Sequence, residues 1–355
     1  MSDMSEKKFD ALKDVSDVVI STRIRFARNL RDYPFPCRLS DENKRKVASI
    51  VKSAVLDGHS AISNRFRYIQ MSELTQEEAV SLVERHLVSP EFISDRQGRG
   101  LLLLDDESVS IMINEEDHIR IQVINQGMSL ESTYDLADKI DTLLDEQLNF
   151  AFNDKLGYLT QCPTNIGTGM RASLMLHLPS LKESGAMSKI SSSLSKLGLA
   201  IRGMYGEGSE PKGAIYQLSN QVTLGISEQE AINNLRDIAY QLVTQERTAR
   251  ETLAKNINIQ DRVYRSYGIL QYAKLLNNDE CMQLLSNVRF GVEAGFFSEM
   301  DLTKINRLLI EIQPATLMKN IGKKLTPHER DRIRAELVRT ALMQPQVPSS
   351  HRLEE

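Results

Sequence analysis

Alternation of hydrophobic and polar residues predicts short β-strands over roughly the first two thirds of the chain. Runs of this kind are typical of strands that bury one face. They lie at 18–26, 100–104, 108–113, 118–124 and 214–220. The three runs between 100 and 124 are joined by short polar turns, which predicts an antiparallel meander. Apolar residues at helical spacing predict helices between the strands at 40–54, 75–87 and 130–148.

From residue 227 onward the pattern becomes helical throughout. Ser227 and Glu230 form a Ser-x-x-Glu capping box ahead of a long amphipathic run. A second box, Thr326 with Glu329, opens the last predicted helix, and Pro327 lies in its first turn. The pattern predicts an α+β domain followed by an all-helical domain. We place them at 18–248 and 249–343, with a disordered tail at 344–355.

Composition changes this picture little. The chain has 355 residues, of which 41% are hydrophobic and 26% charged, with a net charge of −4. Neither half is basic enough to indicate nucleic-acid binding. No apolar run approaches the roughly 20 residues that span a bilayer, so we expect no membrane insertion. Three scattered cysteines do not form a disulfide framework, and a cytoplasmic location is expected.

Two predicted strands place polar side chains on one face. Alternate residues of a strand share a face, and the residues between them share the other. The polar positions of STRIRF and HIRIQV are Ser21, Arg23, Arg25, His118, Arg120 and Gln122. One interpretation is the solvated outer face of a half-buried sheet. The other is a face whose arginines converge on an anion.

Two glycine-rich segments carry further arginines. Arg171 follows Gly167 and Gly169, and Arg202 precedes Glu207 in what we interpret as a glycine-rich loop. Arginine makes forked contacts to phosphate and keeps its charge. Neither segment matches the phosphate-loop or dinucleotide-binding patterns. A nucleotide would therefore be held by arginine side chains and not by a backbone cradle.

Carboxylates and a cysteine complete the candidate chemistry. INEEDHIR places three consecutive acids in a turn, which serves either solubility or, beside arginines, catalysis. Glu207 is the natural second carboxylate. Cys162, in CPTNIGTGMRAS, has neither a disulfide partner nor metal-ligand spacing. Cys37 and Cys281 are interpreted as small buried packing residues.

Taken together, these segments resemble one family. STRIRFARN, NEEDHIR, CPTNIGTGMRAS and RGMYGEGSE, in this order, look like the catalytic domain of the phosphagen (guanidino) kinases. The resemblance covers about residues 18–248. It implies a glutamine-synthetase-like antiparallel sheet flanked by helices, with ATP and Mg²⁺ bound across the sheet.

Two departures indicate a subgroup. Only a short segment precedes the first motif, where phosphagen kinases have a helical domain, and the helical region after 248 has no counterpart in them. Both features, together with ERHLVSPEF around His86 and RDRIRA at 330–335, resemble the bacterial protein-arginine kinases of the McsB type. That resemblance implies ATP-dependent phosphorylation of arginine side chains in proteins.

The resemblance also implies site residues. Glu116 would be the catalytic base, Glu207 would help to grip the substrate guanidinium, and Cys162 would lie beside it as a reactive, oxidation-sensitive thiol. The nucleotide-binding positions would be Ser21, Thr22, Arg23, Ile24, Arg25, His86, Arg120, Arg171, Ala172, Ser173, Leu174, Met175, Arg202, Gly203, Met204, Tyr205, Gly206 and Glu207. RDRIRA would bind phosphoarginine through Arg330, Asp331, Arg334 and Ala335, although by spacing alone it is an exposed, salt-bridged helix surface.

Partners follow from the same resemblance. They are protein substrates with exposed arginines, a zinc-binding activator protein and a Clp ATPase/protease that degrades marked proteins under stress, and the chain would be a homodimer. Two alternatives stay open. One is a kinase of small guanidines, and the other is a phosphoarginine-binding adaptor with a weak or inactive kinase domain. We also expect the arginines to repel one another, so that the site is mobile without ATP.

Overall fold

The chain forms two compact units. The computed structural model describes residues 14–58, 62–204 and 211–343. Contacts divide the chain into Met1–Leu253 and Ala254–Glu355. The predicted boundary after 248 falls inside a helix that runs to Leu253. The predicted tail at 344–355 lies outside the described residues, so it stays a prediction.

An eight-stranded sheet organises the first unit. In spatial order the strands are β2, β3, β4, β5, β1, β8, β10 and β9, and all neighbours are antiparallel. Their bounds are β1 Val19–Arg28, β2 Phe66–Gln70, β3 Gly100–Leu104, β4 Val109–Ile113, β5 Ile119–Gln126, β8 Met170–His177, β9 Leu199–Gly203 and β10 Ile215–Asn220. A separate hairpin joins β6 Phe152–Asn153 to β7 Gly157–Tyr158.

Helices flank this sheet. Those of the first unit are α1 Asp41–Leu56, α2 Gln76–Glu84, α3 Pro90–Ser94, α4 Leu130–Asp145, α5 Pro179–Glu183, α6 Met187–Lys196 and α7 Glu228–Leu253. The predicted meander is confirmed as β3, β4 and β5, and the capping box of Ser227 and Glu230 is present. Strands β2, β8 and β9 of this sheet and the β6–β7 hairpin were not predicted.

The two faces of the sheet differ in chemistry. One face forms the main core, where Ile24 and Phe26 of β1 and Ile121 of β5 pack with the apolar stripes of α1, α4 and α7. A smaller core covers one side of the opposite face, around Phe92 and Leu103. The centre of that opposite face is polar, and its side chains line a cleft.

Five helices make up the described part of the second unit. They are α8 Ile257–Tyr272, α9 Asn278–Glu293, α10 Leu302–Glu311, α11 Pro314–Ile321 and α12 Pro327–Leu342. The predicted capping box is present at the start of α12, where Thr326 and Glu329 exchange hydrogen bonds. The α+β class followed by an all-helical region is thus confirmed. Among the described residues, no helix has the length and apolarity to span a bilayer.

Candidate active site

Five arginines from four strands line the polar cleft. Arg23 and Arg25 come from β1, Arg120 from β5, Arg171 from β8 and Arg202 from β9. The cleft has a volume of about 180 Å³ and is open to solvent. The five arginines thus converge on one cleft, and the anion that the sequence-based interpretation places there stays a prediction. The predicted position of Arg202 in a glycine-rich loop is wrong, because this residue lies on strand β9.

Strand register brings these side chains together. Arg25 of β1 lies between Gln122 of β5 and Arg171 of β8. Arg23 pairs with Ser173, and its guanidinium donates to Gln217 Oε1 at 2.7 Å. Because neighbouring strands are only about 4.8 Å apart, residues in one row across a sheet face the same ligand.

Within the described residues, the charges that act on Arg23 and Arg25 are mostly positive. Burial and the charge of Arg120 lower the pKa of Arg23 to about 10. Burial, with Arg23, Arg120 and Arg171 nearby, lowers the pKa of Arg25 well below its usual value. No hydrogen bond or ion pair joins Arg25 to any residue within the described ranges, and its Nε is buried without a partner. Such a charge is costly unless an anion joins it.

His86 also lines the cleft. It follows α2 with φ of 61°, a value that is uncommon for residues other than glycine. Burial and the charge of Arg23 lower its pKa to about 4, so the imidazole is neutral at pH 7. Its carbonyl accepts a hydrogen bond from Gln122 Nε2 at 2.9 Å, which ties this turn to β5.

The three acids of the β4–β5 turn have different environments. Glu115 is buried and pairs with Arg120 at 2.7 Å. Asp117 is fully buried and accepts hydrogen bonds from Asn29 Nδ2 at 2.6 Å and from the Gln161 amide at 2.8 Å. Both therefore hold protein groups in place.

Glu116 is the acid that remains accessible. Its side chain is 37% exposed and lies 3.4 Å from Arg120, a longer separation than that of Glu115. Burial, together with the charges of Asp117, Glu115 and Glu91, raises its pKa above the usual range although Arg120 opposes this. Its predicted partner Glu207 lies outside the described residues, as do Tyr205 and Gly206.

Cys162 lies at the edge of the arginine cluster. Its Sγ is 3.1 Å from Thr164 Oγ1, which also accepts from Arg171 Nη2 at 3.3 Å. The pKa of Arg171 is lowered by burial, Arg202 and Arg120, while Cys162 and Glu116 act in the opposite direction. Cys281 is buried as predicted, but Cys37 is exposed, so the packing role predicted for Cys37 is wrong.

The other predicted nucleotide-binding residues fall into two groups. Thr22, Ile24, Ala172 and Leu174 are buried and point to the opposite face, where the last three belong to the main core. Ser21, Ser173, Met175, Gly203 and Met204 lie on the strands of the site, or just after them, and Met204 lines the cleft. Their nucleotide contacts stay predictions.

Several residues that shape the site were not predicted. Glu115 holds Arg120, Gln217 holds Arg23, and Ser89 donates to Glu115. Glu115 stood beside Glu116 in the sequence, but nothing there distinguishes the buried acid from the exposed one. His118 does not join the cleft, because its ring bonds to Leu30 and Pro34.

In the second unit, RDRIRA lies in the first turns of α12. Arg334 is buried, and its guanidinium donates to the carbonyls of Ile312 and Leu276 and to Asp331 at 2.7 Å. Arg330 is half-buried and donates to the Leu325 carbonyl at 3.3 Å. Ala335 is buried. In this conformation Arg334 braces the unit and Arg330 is the more accessible cation.

Comparison with known proteins identifies the family. The model of the ATP:guanido phosphotransferase C-terminal catalytic domain matches residues 46–249, and that of the protein-arginine kinase McsB C-terminal domain matches 256–352. A protein-arginine kinase of Caldanaerobacter subterraneus is 48% identical over 92% of this chain and 97% of its own length. The chain belongs to the protein-arginine kinase family. A second member, from Halothermothrix orenii, is 47% identical over 92% of this chain and 93% of its own.

Solved structures agree on the fold. A lombricine kinase is 27% identical with a TM-score of 0.58, over 65% of this chain and 66% of its own. A duplicated taurocyamine kinase of Schistosoma mansoni, solved with transition-state analogue components, is 23% identical with a TM-score of 0.59. The match covers 81% of this chain and 48% of the taurocyamine kinase chain. These similarities confirm the phosphagen kinase fold of the first unit.

Proposed function

We propose that the chain transfers the γ-phosphoryl group of ATP to arginine side chains of proteins, and that the cleft is where the transfer occurs. The observation that carries this is the cluster of five arginines beside the half-exposed Glu116. Its cations fit a triphosphate, and its accessible carboxylate fits a guanidinium. The family membership of the chain supports the same reaction.

The arginines would bind and orient the triphosphate. The Nε of Arg25 is buried without a hydrogen-bond partner, and the charge of Glu115 acts on this guanidinium less than those of the neighbouring arginines, so phosphate oxygens would complete its environment. Mg²⁺ would be held mainly by phosphate oxygens and water, because the described residues contain no group of three or more His, Cys, Asp or Glu side chains that could hold a metal ion. Mg²⁺ supplies charge neutralisation between the phosphates.

Glu116 would act on the acceptor. A guanidinium must lose a proton as its nitrogen attacks phosphorus, because the protonated group is a poor nucleophile. The pKa of Glu116 is raised by burial, which makes this carboxylate a better proton acceptor. Cys162 would lie beside the same guanidinium, with Glu207 as the second carboxylate.

The second unit would bind the product group. Phosphoarginine needs a cation for its phosphate and an anion for its guanidinium, and Arg330 and Asp331 are the accessible pair at the start of α12. The positive end of that helix supports an anion there. We further propose that marked proteins pass to a Clp ATPase/protease in a stress response, that a zinc-binding protein activates the enzyme, and that it works as a homodimer in the cytoplasm.

One experiment tests the reaction. The full chain is incubated with labelled ATP and either free arginine or an unfolded arginine-rich protein, and the product is then treated with acid. We expect acid-labile label on protein alone, because a P–N bond hydrolyses in acid whereas serine and threonine phosphates survive. Label on free arginine would indicate a kinase of small guanidines. No label on either, with the activator present, would leave an adaptor that only binds phosphoarginine.

A further inference from the structure

Exposed apolar side chains of the first unit concentrate in one region. Among its described residues, six large apolar side chains are exposed. One of them, Ile50, lies on α1. The other five define what we call the apolar strip, namely Phe152, Leu156, Leu197, Val222 and Leu224. They come from three segments that are far apart in sequence.

Close backbone packing joins the segment of Phe152 and Leu156 to the segment of Val222 and Leu224. The Tyr158 amide donates to the Gly167 carbonyl at 2.8 Å, and the Thr168 amide donates to the Thr223 carbonyl at 2.9 Å. A Cβ on Gly167 would lie 2.0 Å from the Thr223 carbonyl oxygen, so only glycine permits this approach. Residues 167 and 168 therefore lie between the β6–β7 hairpin and the segment around Leu224 and connect the two.

The third segment extends the strip. The Gln221 amide donates to the Gly198 carbonyl at 2.8 Å. A Cβ on Gly198 would lie 2.8 Å from Val222 Cγ2, so the backbone next to Leu197 packs against the Val222 side chain. These contacts fix the relative positions of the three segments that carry the five exposed side chains.

Thr164 connects one segment of the strip to the cleft. The carbonyl of Thr164 accepts from Thr223 Oγ1 at 3.0 Å, and Thr223 lies between the strip residues Val222 and Leu224. Its own hydroxyl contacts Cys162 Sγ and Arg171 Nη2 on the side of the cleft. A polypeptide whose arginine enters the cleft next to Cys162 therefore has the strip in reach of its neighbouring residues.

We propose that the apolar strip binds apolar side chains that flank the target arginine in an extended segment of the substrate protein. This rests on the proposed function, since it assumes that the acceptor is an arginine within a polypeptide. Apolar residues next to an exposed arginine are available mainly when a protein is unfolded, because folding buries them. The strip would thus favour unfolded proteins over folded ones, without reading a specific sequence.

Two peptides with the same central arginine test the proposal, one flanked by leucine and phenylalanine and the other by serine and glycine. The full chain is compared with a variant carrying Leu156→Ser and Leu224→Ser. We expect kcat/KM for the apolar peptide to fall about tenfold or more, because burial of one leucine is worth at least that factor. The loss should appear in KM, while kcat/KM for the polar peptide stays unchanged.

Ile50→Ser is the matched control, because it removes an exposed apolar side chain on α1, outside the strip. This control should leave kcat/KM unchanged for both peptides. Both variants should keep the thermal midpoint and the oligomeric state of the unsubstituted chain. Three results for the double variant would overturn the proposed role of the strip. They are an equal loss of kcat/KM for both peptides, no loss for the apolar peptide, and a loss that accompanies a change in oligomeric state. If the unsubstituted chain transferred no phosphoryl group to either peptide, the proposed function would be overturned, and the proposed role of the strip with it.

Discussion

At the scale of single residues, two arginines of β1 show how partners decide a role. Arg25 lines the cleft without a hydrogen-bond partner among the described residues, whereas Arg28, three positions on, is buried on the side of the core. Arg28 pairs with Asp141 at 2.7 Å and lies over the Tyr158 ring at 3.4 Å from its centroid. The same residue type therefore stabilises the fold at one position and costs stability at the other.

This difference predicts opposite effects of the same substitution. Arg25→Met should raise the ligand-free unfolding free energy by on the order of 1 kcal/mol, because it removes a half-buried charge that lies among other cations and whose Nε has no hydrogen-bond partner. It should also weaken ATP binding. Arg28→Met should lower the unfolding free energy by about 3–5 kcal/mol, because it leaves Asp141 buried without its counter-charge. Denaturant unfolding and ATP titration calorimetry measure both effects, and a destabilised Arg25→Met would contradict the argument.

Glu116 carries the second prediction at this scale. Glu116→Gln should reduce transfer by about 10²–10⁴-fold, because the amide cannot accept the proton, with ATP binding retained. The base acts unprotonated and its pKa is raised, so the rate should fall as the pH drops through that raised value. Glu91→Gln is the control. It removes a nearby negative charge that raises the pKa of Glu116, so the acid limb of the profile should move to lower pH. An unchanged rate in Glu116→Gln would refute the assignment of the base.

At the scale of elements, a buried histidine joins the end of β1 to the β4–β5 turn. His118 Nδ1 accepts from the Leu30 amide at 3.1 Å, and Nε2 lies 3.0 Å from the Pro34 carbonyl. This pattern fixes the neutral ring with its proton on Nε2. Burial lowers the pKa of His118 to about 4. A second proton would break the bond to Leu30.

The low pKa of His118 predicts a pH dependence of stability. An unfolded histidine titrates near 6.5, so between about pH 6.5 and 4 the unfolded state binds more protons than the folded one. The unfolding free energy should therefore decrease as pH falls, by up to about 1.4 kcal/mol per pH unit for this group.

His118→Gln isolates the contribution of this histidine. The variant should be less stable at pH 7, and the slope of its unfolding free energy between pH 6.5 and 4 should be smaller by up to one proton. Urea unfolding across this range gives the difference between the two chains. Buried carboxyls such as Asp117, whose pKa is raised, cancel in that difference. Identical slopes would show that His118 does not titrate as described.

Elements also show where the sequence was sufficient. Strands β1 and β5 alternate apolar and polar residues over most of their length, and burial of one face dictates that pattern, so they could be predicted. Strands β8 and β9 adjoin glycine-rich segments, and the turn signal of the glycines concealed the strands beside them. The arginines of these two strands were identified by residue type and motif, not by element.

At the scale of the whole molecule, the site depends on register that no local pattern contains. Arg23 and Arg202 belong to one cleft although 179 positions separate them, because β1, β8, β10 and β9 are neighbours in the sheet. The order of the family motifs along the chain predicted that these arginines share one site. The buried partners Glu115 and Gln217 could not be predicted, since their roles follow from which side chains the register brings within hydrogen-bond distance.

Because each of the two units has its own proposed ligand, we expect each ligand to raise the thermal midpoint of one unit only. A ligand at 100 times its dissociation constant stabilises the unit that binds it by about 2.7 kcal/mol. In scanning calorimetry, ATP with Mg²⁺ should raise the midpoint of the transition that belongs to Met1–Leu253. Phosphoarginine should raise the midpoint of Ala254–Glu355. A single transition shifted equally by both ligands would contradict this division.

A matched pair of substitutions assigns the second transition. Arg334 is buried and braces the carbonyls of Leu276 and Ile312, so Arg334→Met should lower the ligand-free midpoint of this unit. Arg330 makes one hydrogen bond and is half-buried, so Arg330→Met should leave that midpoint nearly unchanged and abolish the shift caused by phosphoarginine. A normal shift in Arg330→Met would refute the proposed site, because Arg330 is the cation assigned to the phosphate and Arg334 is already bound to Asp331.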